Sequence, residues 1–315
     1  MDTHFREAVR AANIDEMRSA VKNGANVNLV DSSNRTALHD AIICGHGIEV
    51  IEFLMESGAD LDCKDIRGKT PLHFAAEYAE AATAKLLLDN GANPNEEDNT
   101  KQTALHWSGI GGDLEAIGHV MSAGVYTNAR STHGNTALHL ASANNHTNAV
   151  KFFIDNNFDI EATNNHGNRP IHKASVGSSV ETVLALLNSN VNIEAKNERG
   201  NTPLHRASKF GNIGAMIELL KRRASIHSRN NDGATPLHRA SSAHKHNAVK
   251  LLLKVGAALE VADKYGHTPI DLASSITLKT LLIRASAERQ ALAYGGARQN
   301  KGSISVATAI EKKYA

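Results

Sequence analysis

The sequence predicts an all-α fold, a solenoid of helix–turn–helix units with short hairpin tips, on three observations. A four-residue phrase recurs at Thr36, Thr70, Thr103, Thr136, Arg169, Thr202, Thr235 and Thr268, and every step is 33 residues except the first, which is 34. A fixed period of this size marks stacked supersecondary units that bury their apolar faces on one another. After each phrase, apolar residues follow at helical spacing until a polar, often glycine-bearing break closes the run. Aromatics make up only 4% of the 315 residues, which suits short helices packed closely through Ala, Leu, Ile and Val.

Each element of the unit has a local cause. The phrase reads TALH, TPLH, TALH, TALH, RPIH, TPLH, TPLH and TPID; a threonine caps the helix and a proline ring fits its first position. Leu204 and Ala207 illustrate the buried face, and a Gly-Asn or Gly-His pair then breaks the first helix in several copies. The second helix carries stretches such as Leu86, Leu87 and Leu88, too short to span a membrane. It stops at Gly24, Gly58, Gly91, Gly124 or Gly256, where a left-handed cap favours glycine. Asn157, Asn190 and Arg223 fill that slot in copies five, six and seven; asparagine tolerates it and arginine is a misfit. Thr3 precedes Gly24 by the 21 residues that separate Thr70 from Gly91, so a degenerate first copy brings the total to nine. The extra residue of copy two falls at Gly47.

The recurring phrase, together with the NGA or VGA that follows each unit in register, resembles the ankyrin repeat over about residues 1–285. The resemblance implies a β-hairpin tip and two antiparallel helices per copy, stacked in a curved array with first and last copies as caps. Residues 286–315 are expected to finish the last helix and continue as a flexible tail. The resemblance also implies a non-enzymatic scaffold or adaptor that meets a protein partner on its concave face, through tips and first helices. Two alternatives are a secreted effector of an intracellular bacterium and an array similar to a proteasome-assembly chaperone or an inhibitor.

His39, His73, His106, His139, His172, His205 and His238 stand three residues after each cap. A nucleophile–base pair would not come in seven copies without a recurrent acid; a side chain reaching back to the turn backbone would. No G-x-S-x-G, H-E-x-x-H, P-loop or C-x-x-C is present, and GIGGD at 109–113 falls between two helices rather than after a strand. His244 and His246 lack a third ligand nearby. Hence no enzyme activity, cofactor or metal is expected. The N-terminus has no apolar signal core, and two cysteines point to a reducing compartment. A cytoplasmic monomer is the expectation, with the nucleus or a host cytoplasm as alternatives.

Variation at fixed positions locates the binding surface. The residue after each histidine runs Asp40, Phe74, Trp107, Leu140, Lys173, Arg206 and Arg239, so apolar residues give way to cations. Phe74, Tyr78, Trp107 and Ile110 are the candidate apolar contacts; Lys173, Arg206, Lys209, Phe210 and Arg239 are the candidate contacts to an acidic segment, since aromatics and arginine favour interface anchors. Twelve acids oppose four Lys and Arg over residues 47–98, whereas twelve Lys and Arg oppose three acids over 196–254. The net charge of +1 conceals this division. Nucleic acid is disfavoured as the ligand, because a basic stripe alone specifies no groove or base contact.

Overall fold

A computed structural model describes residues 2–295, and the tail expected after Gly296 lies outside the described residues. Seventeen helices form among the described residues, and their contacts divide at Asp159 into two compact units. In the first, α1 (Asp2–Arg10) pairs with α2 (Ile14–Lys22), α3 (Ala37–Ile43) with α4 (Ile48–Glu56), and α5 (Pro71–Glu77) with α6 (Ala81–Asp89). Next, α7 (Ala104–Gly111) pairs with α8 (Leu114–Ser122), and α9 (Ala137–Ala143) with α10 (Thr147–Asp155). The second unit contains α11 (Pro170–Ala174), α12 (Val180–Leu187), α13 (Pro203–Phe210), α14 (Ile213–Lys221), α15 (Pro236–Ser242), α16 (His246–Lys254) and α17 (Ile276–Gly295). Within each unit, first helices pack on first helices and second on second.

The buried side chains are those that the period selects. Leu38, Leu72, Leu105 and Leu138 are fully enclosed in the first unit, as are Ile171, Leu204 and Leu237 in the second. Each occupies the same place in its copy, so one packing solution repeats. The seven histidines are buried, and six of them join neighbouring copies. The Nδ1 atom of His205 accepts the Thr202 N–H at 3.2 Å, and its Nε2–H donates to the Ala234 carbonyl of the next copy at 3.0 Å. His39, His73, His106, His172 and His238 make the same pair of bonds. Because Nδ1 accepts, the proton sits on Nε2 and the ring is neutral. The histidine thus holds its own cap and the following turn at once.

Two local expectations change. The tips contain no strand among the described residues; they are turns, closed for example by Asp65 N–H on Lys69 O at 2.9 Å and Gly68 N–H on Asp65 O at 2.8 Å. The helix expected after Thr268 does not form, and residues 269–272 make turns instead. Asp271 replaces the histidine there and accepts the Thr268 N–H at 2.8 Å. A carboxylate has no second ring nitrogen to donate onward, and the sequence carries no tenth phrase for such a helix to pack on. The long α17 closes this end by burying Leu278 and Leu282.

The slot that ends each second helix is left-handed in every copy from one to eight. Gly256 adopts φ +95°, while Asn157, Asn190 and Arg223 are forced to +61°, +59° and +66°. A β-carbon is disfavoured there, and Arg223 is exposed. Arg223→Gly should therefore raise stability by about 1 kcal/mol, read as a shift of the denaturant midpoint; a loss of stability would show that the arginine has a structural role. Copy six combines a non-glycine stop with the five-residue α11. Hydrogen exchange is expected to be faster over residues 175–192 than over 248–255, since short elements open locally at lower cost. Equal protection would contradict this.

Candidate partner-binding surface

Most tips are organised by one side chain that accepts backbone N–H groups two and four residues ahead. Asp65 Oδ1 accepts from Arg67 and Lys69 at 2.8 Å each, and Asp98 Oδ1 accepts from Thr100 at 2.7 Å and Gln102 at 2.9 Å. In the second unit the same slot holds asparagine at 164, 197 and 230, whereas Asp263 keeps a carboxylate in the last tip. Asn197 Oδ1 accepts from Arg199 and Asn201, and Asn230 Oδ1 from Asp232 and Ala234, at 2.9–3.1 Å. The turn is unchanged but its charge is gone, and the two units therefore treat their cations differently.

In the first unit, the cations around the first helices find counter-ions. Arg6 pairs with Asp31 at 3.3 Å, Arg10 with Asp40 at 3.2 Å, and buried Lys69 with Glu77. The Lys69 ammonium also lies 4.1 Å from the centre of the Phe74 ring and 3.6 Å from that of Trp107. Burial lowers the Lys69 pKa, and the Glu77 and Asp65 carboxylates oppose that shift. This cluster corrects part of the sequence-based surface. Phe74 is only 3% exposed, edge-on to His39 and beneath Arg35 and Lys69, so it supports the surface rather than forming it. Trp107 is half-buried, and its Nε1–H donates to Asp98 Oδ2 at 3.0 Å. Ile110 is half-buried, while Tyr78 is 48% exposed. The structure brings Phe74 and Tyr78 together, with ring centres 6.1 Å apart.

In the second unit, cations converge without counter-ions. A cleft of about 250 Å³ is lined by Lys173, Arg199, Arg206, Lys209 and Arg239, against the single carboxylate of Glu198. Lys173, Arg206 and Arg239 come from the first turns of α11, α13 and α15, which the repeat aligns. Among the described residues none of the five makes an ion pair, and the buried Arg206 Nε has no hydrogen-bond acceptor. Burial lowers the pKa of Lys173, Arg206 and Lys209, and neighbouring positive charge adds to it: Arg206 acts on Lys173, and Arg239 on both Arg206 and Lys209. Arg239 is lowered by burial too, with Asp232 in opposition. Phe210 is 42% exposed at the rim, with the Arg206 guanidinium 5.1 Å from its ring centre. All five candidates of this half fall at one place. Arg199 escaped sequence reasoning because it sits on the tip, outside the slot after the histidine.

Six of the repeat histidines spend both nitrogens on backbone, and His244 and His246 each have a nitrogen 3.1 Å from a hydroxyl oxygen, of Ser274 and Thr277. No helix among the described residues is long and apolar enough to cross a membrane. What is displayed is a frame of repeated helix pairs held by buried leucines and backbone-bound histidines, the architecture of a helical-repeat protein. The chain belongs to the ankyrin-repeat family: the family described as ankyrin repeats in three copies matches residues 2–65, 48–131, 110–197, 162–230 and 204–289. Ankyrin repeats mediate binding to protein partners.

Among similar proteins, NF-kappa-B inhibitor alpha of Gallus gallus is 33% identical over 78 residues, covering 25% of this chain and 24% of that protein. The Notch-regulated ankyrin repeat-containing protein of Homo sapiens is 37% identical over 76 residues, covering 23% of this chain and 66% of the relative. RelA-associated inhibitor of Mus musculus is 34% identical over 81 residues, covering 26% and 10%. Each match therefore covers less than two thirds of the relative.

Proposed function

We propose that the protein is a non-enzymatic interaction scaffold or adaptor that holds an acidic segment of a protein partner in the cleft of its second unit. The observation that carries this reading is the cluster of five cations against one carboxylate, left unneutralised where the tip aspartates become asparagines. Desolvated like charges cost stability, so a purely structural role gives no reason to keep them together. In the first unit Tyr78, with the half-buried Trp107 and Ile110, offers a second contact of apolar character, for which Phe74 is the underlying support. Two free cysteines suit a cytoplasmic or nuclear setting. An inhibitor-type role, in which the array occupies its partner, is the second reading; the names of the NF-kappa-B inhibitor alpha and RelA-associated inhibitor relatives favour it.

Quantitative affinity capture from a lysate tests the proposal. Arg206→Glu should lose at least ~2 kcal/mol of partner binding and weaken its salt dependence, because it reverses a central charge. Lys250→Gln, on the exposed side of α16, should capture as the parent does. Equal losses in both variants would place binding elsewhere. A steep salt dependence on duplex DNA, with no captured protein, would favour nucleic acid instead.

A further inference from the structure

Resting on the reading of the second unit as an anion-recognising surface, we infer that its cleft takes a phosphorylated serine or threonine side chain of the partner rather than carboxylates alone. The number and crowding of the cations come first. Lys173, Arg199, Arg206, Lys209 and Arg239 share about 250 Å³ with one carboxylate, and a single aspartate or glutamate leaves most of that charge unanswered. A phosphoryl group brings about −1.5 to −2 charges and three acceptor oxygens to one point. The type of cation matters as well. Arg199, Arg206 and Arg239 offer planar forks suited to paired hydrogen bonds with phosphate oxygens, while Lys173 and Lys209 add point charges.

The state of these groups supports the same ligand. The Arg206 Nε–H is buried and makes no hydrogen bond to another protein group, as is also true of Arg6 and Arg35 Nε in the first unit, but Arg206 alone of the three stands among like charges with no ion pair. Burial and mutual repulsion both lower the pKa of Lys173, Arg206 and Lys209, and a dianion relieves the repulsion at every one of them. The first unit supplies the contrast. There the equivalent tips carry Asp65 and Asp98, and the Lys69 ammonium is held by Glu77. The repeat frame thus gathers five cations with one carboxylate in the cleft of the second unit, while the Lys69 cluster of the first carries its own counter-ion. Phe210 at the rim, stacked near Arg206 and Lys209, gives an apolar contact for the residue beside the phosphate.

Three fluorescent pools of nine-residue peptides test this on the full chain at physiological ionic strength. Flanking positions are degenerate and uncharged; the centre is phosphoserine, a Glu-Glu pair or serine. The phosphoserine pool should bind about tenfold tighter than the Glu-Glu pool and the serine pool least. Arg206→Gln and Arg239→Gln should each abolish that preference, whereas Lys250→Gln should retain it, with thermal unfolding confirming that all three fold. If the Glu-Glu pool binds as tightly as phosphoserine, recognition of phosphate is overturned while the acidic-segment reading stands. If neither anionic pool binds, both are overturned. Phosphoserine binding that survives Arg206→Gln and Arg239→Gln lies outside this cleft and overturns the inference.

Discussion

Lowering the pH from 7.5 to 5 is expected to remove about 2 kcal/mol or more of stability from each unit, most of it from buried histidines. His73, His172 and His205 are pushed from 6.5 down to about 4, chiefly by burial, and their backbone hydrogen bonds only partly oppose this. The folded chain keeps these rings neutral, whereas the unfolded chain takes up protons as the pH falls through 6.5. Stability is therefore complete above that value and is lost progressively down to about pH 4, below which the loss is constant. At pH 5 each of the three costs ~2 kcal/mol, since one pH unit is worth 1.36 kcal/mol. That amounts to ~2 kcal/mol from His73 in the first unit and ~4 kcal/mol from the other two in the second. His39, His106 and His238 shift in the same direction for the same reason. Asp31 and Asp98, held below the usual carboxylate range largely by backbone hydrogen bonds that outweigh burial, add their loss only at lower pH. Guanidinium midpoints at pH 7.5, 6.5, 5.5 and 5.0 check this. A midpoint independent of pH across that series would mean that the histidines are not held neutral.

Removing one such histidine is the second large effect. His205→Ala leaves the Thr202 N–H without its acceptor and the Ala234 carbonyl without its donor, and opens a cavity in a fully buried place. A stranded polar group costs about 1–3 kcal/mol, and the lost packing adds to it, so about 4 kcal/mol is expected. Thr202→Ala removes only the hydroxyl 2.9 Å from the same nitrogen and should cost ~1 kcal/mol. The next residue provides the contrast: Arg206→Gln gives up no ion pair and relieves repulsion, so its stability should be unchanged or higher. Urea denaturation of the three variants separates them. A loss below ~1 kcal/mol for His205→Ala would refute the stapling role.

Much of this was legible from the period. The caps, the buried leucines, the left-handed stops and the backbone-bound histidines repeat in register, and repetition turns weak local signals into a strong one. What escaped depends on neighbours. The helix after Thr268 carries a capping residue yet fails, because helices of this length are stabilised by packing rather than by propensity. Phe74 and Arg206 occupy one slot in their copies, yet Phe74 is covered by Lys69 and Arg35 while Arg206 opens on a cleft. Nothing in the slot itself distinguishes the two outcomes. A usable signal lay in the tips, where aspartate at 31, 65 and 98 gives way to serine at 131 and asparagine at 164, 197 and 230 before returning at 263, so that slot gives the cations of the cleft no carboxylate in those copies.

The central claim is that the unneutralised cations of the second unit form the recognition site. Arginine side-chain NMR reports on it most directly, with the Nε–Hε resonances followed as the captured partner's acidic segment is titrated into the full chain. The account predicts that Arg199, Arg206 and Arg239 shift together and saturate at one concentration. Arg18, beside Phe53, and Arg222, bonded to the Leu187 carbonyl, should stay in place. Shifts of Arg18 and Arg222 as large as those of Arg206 and Arg239 would show diffuse charge attraction and contradict the site.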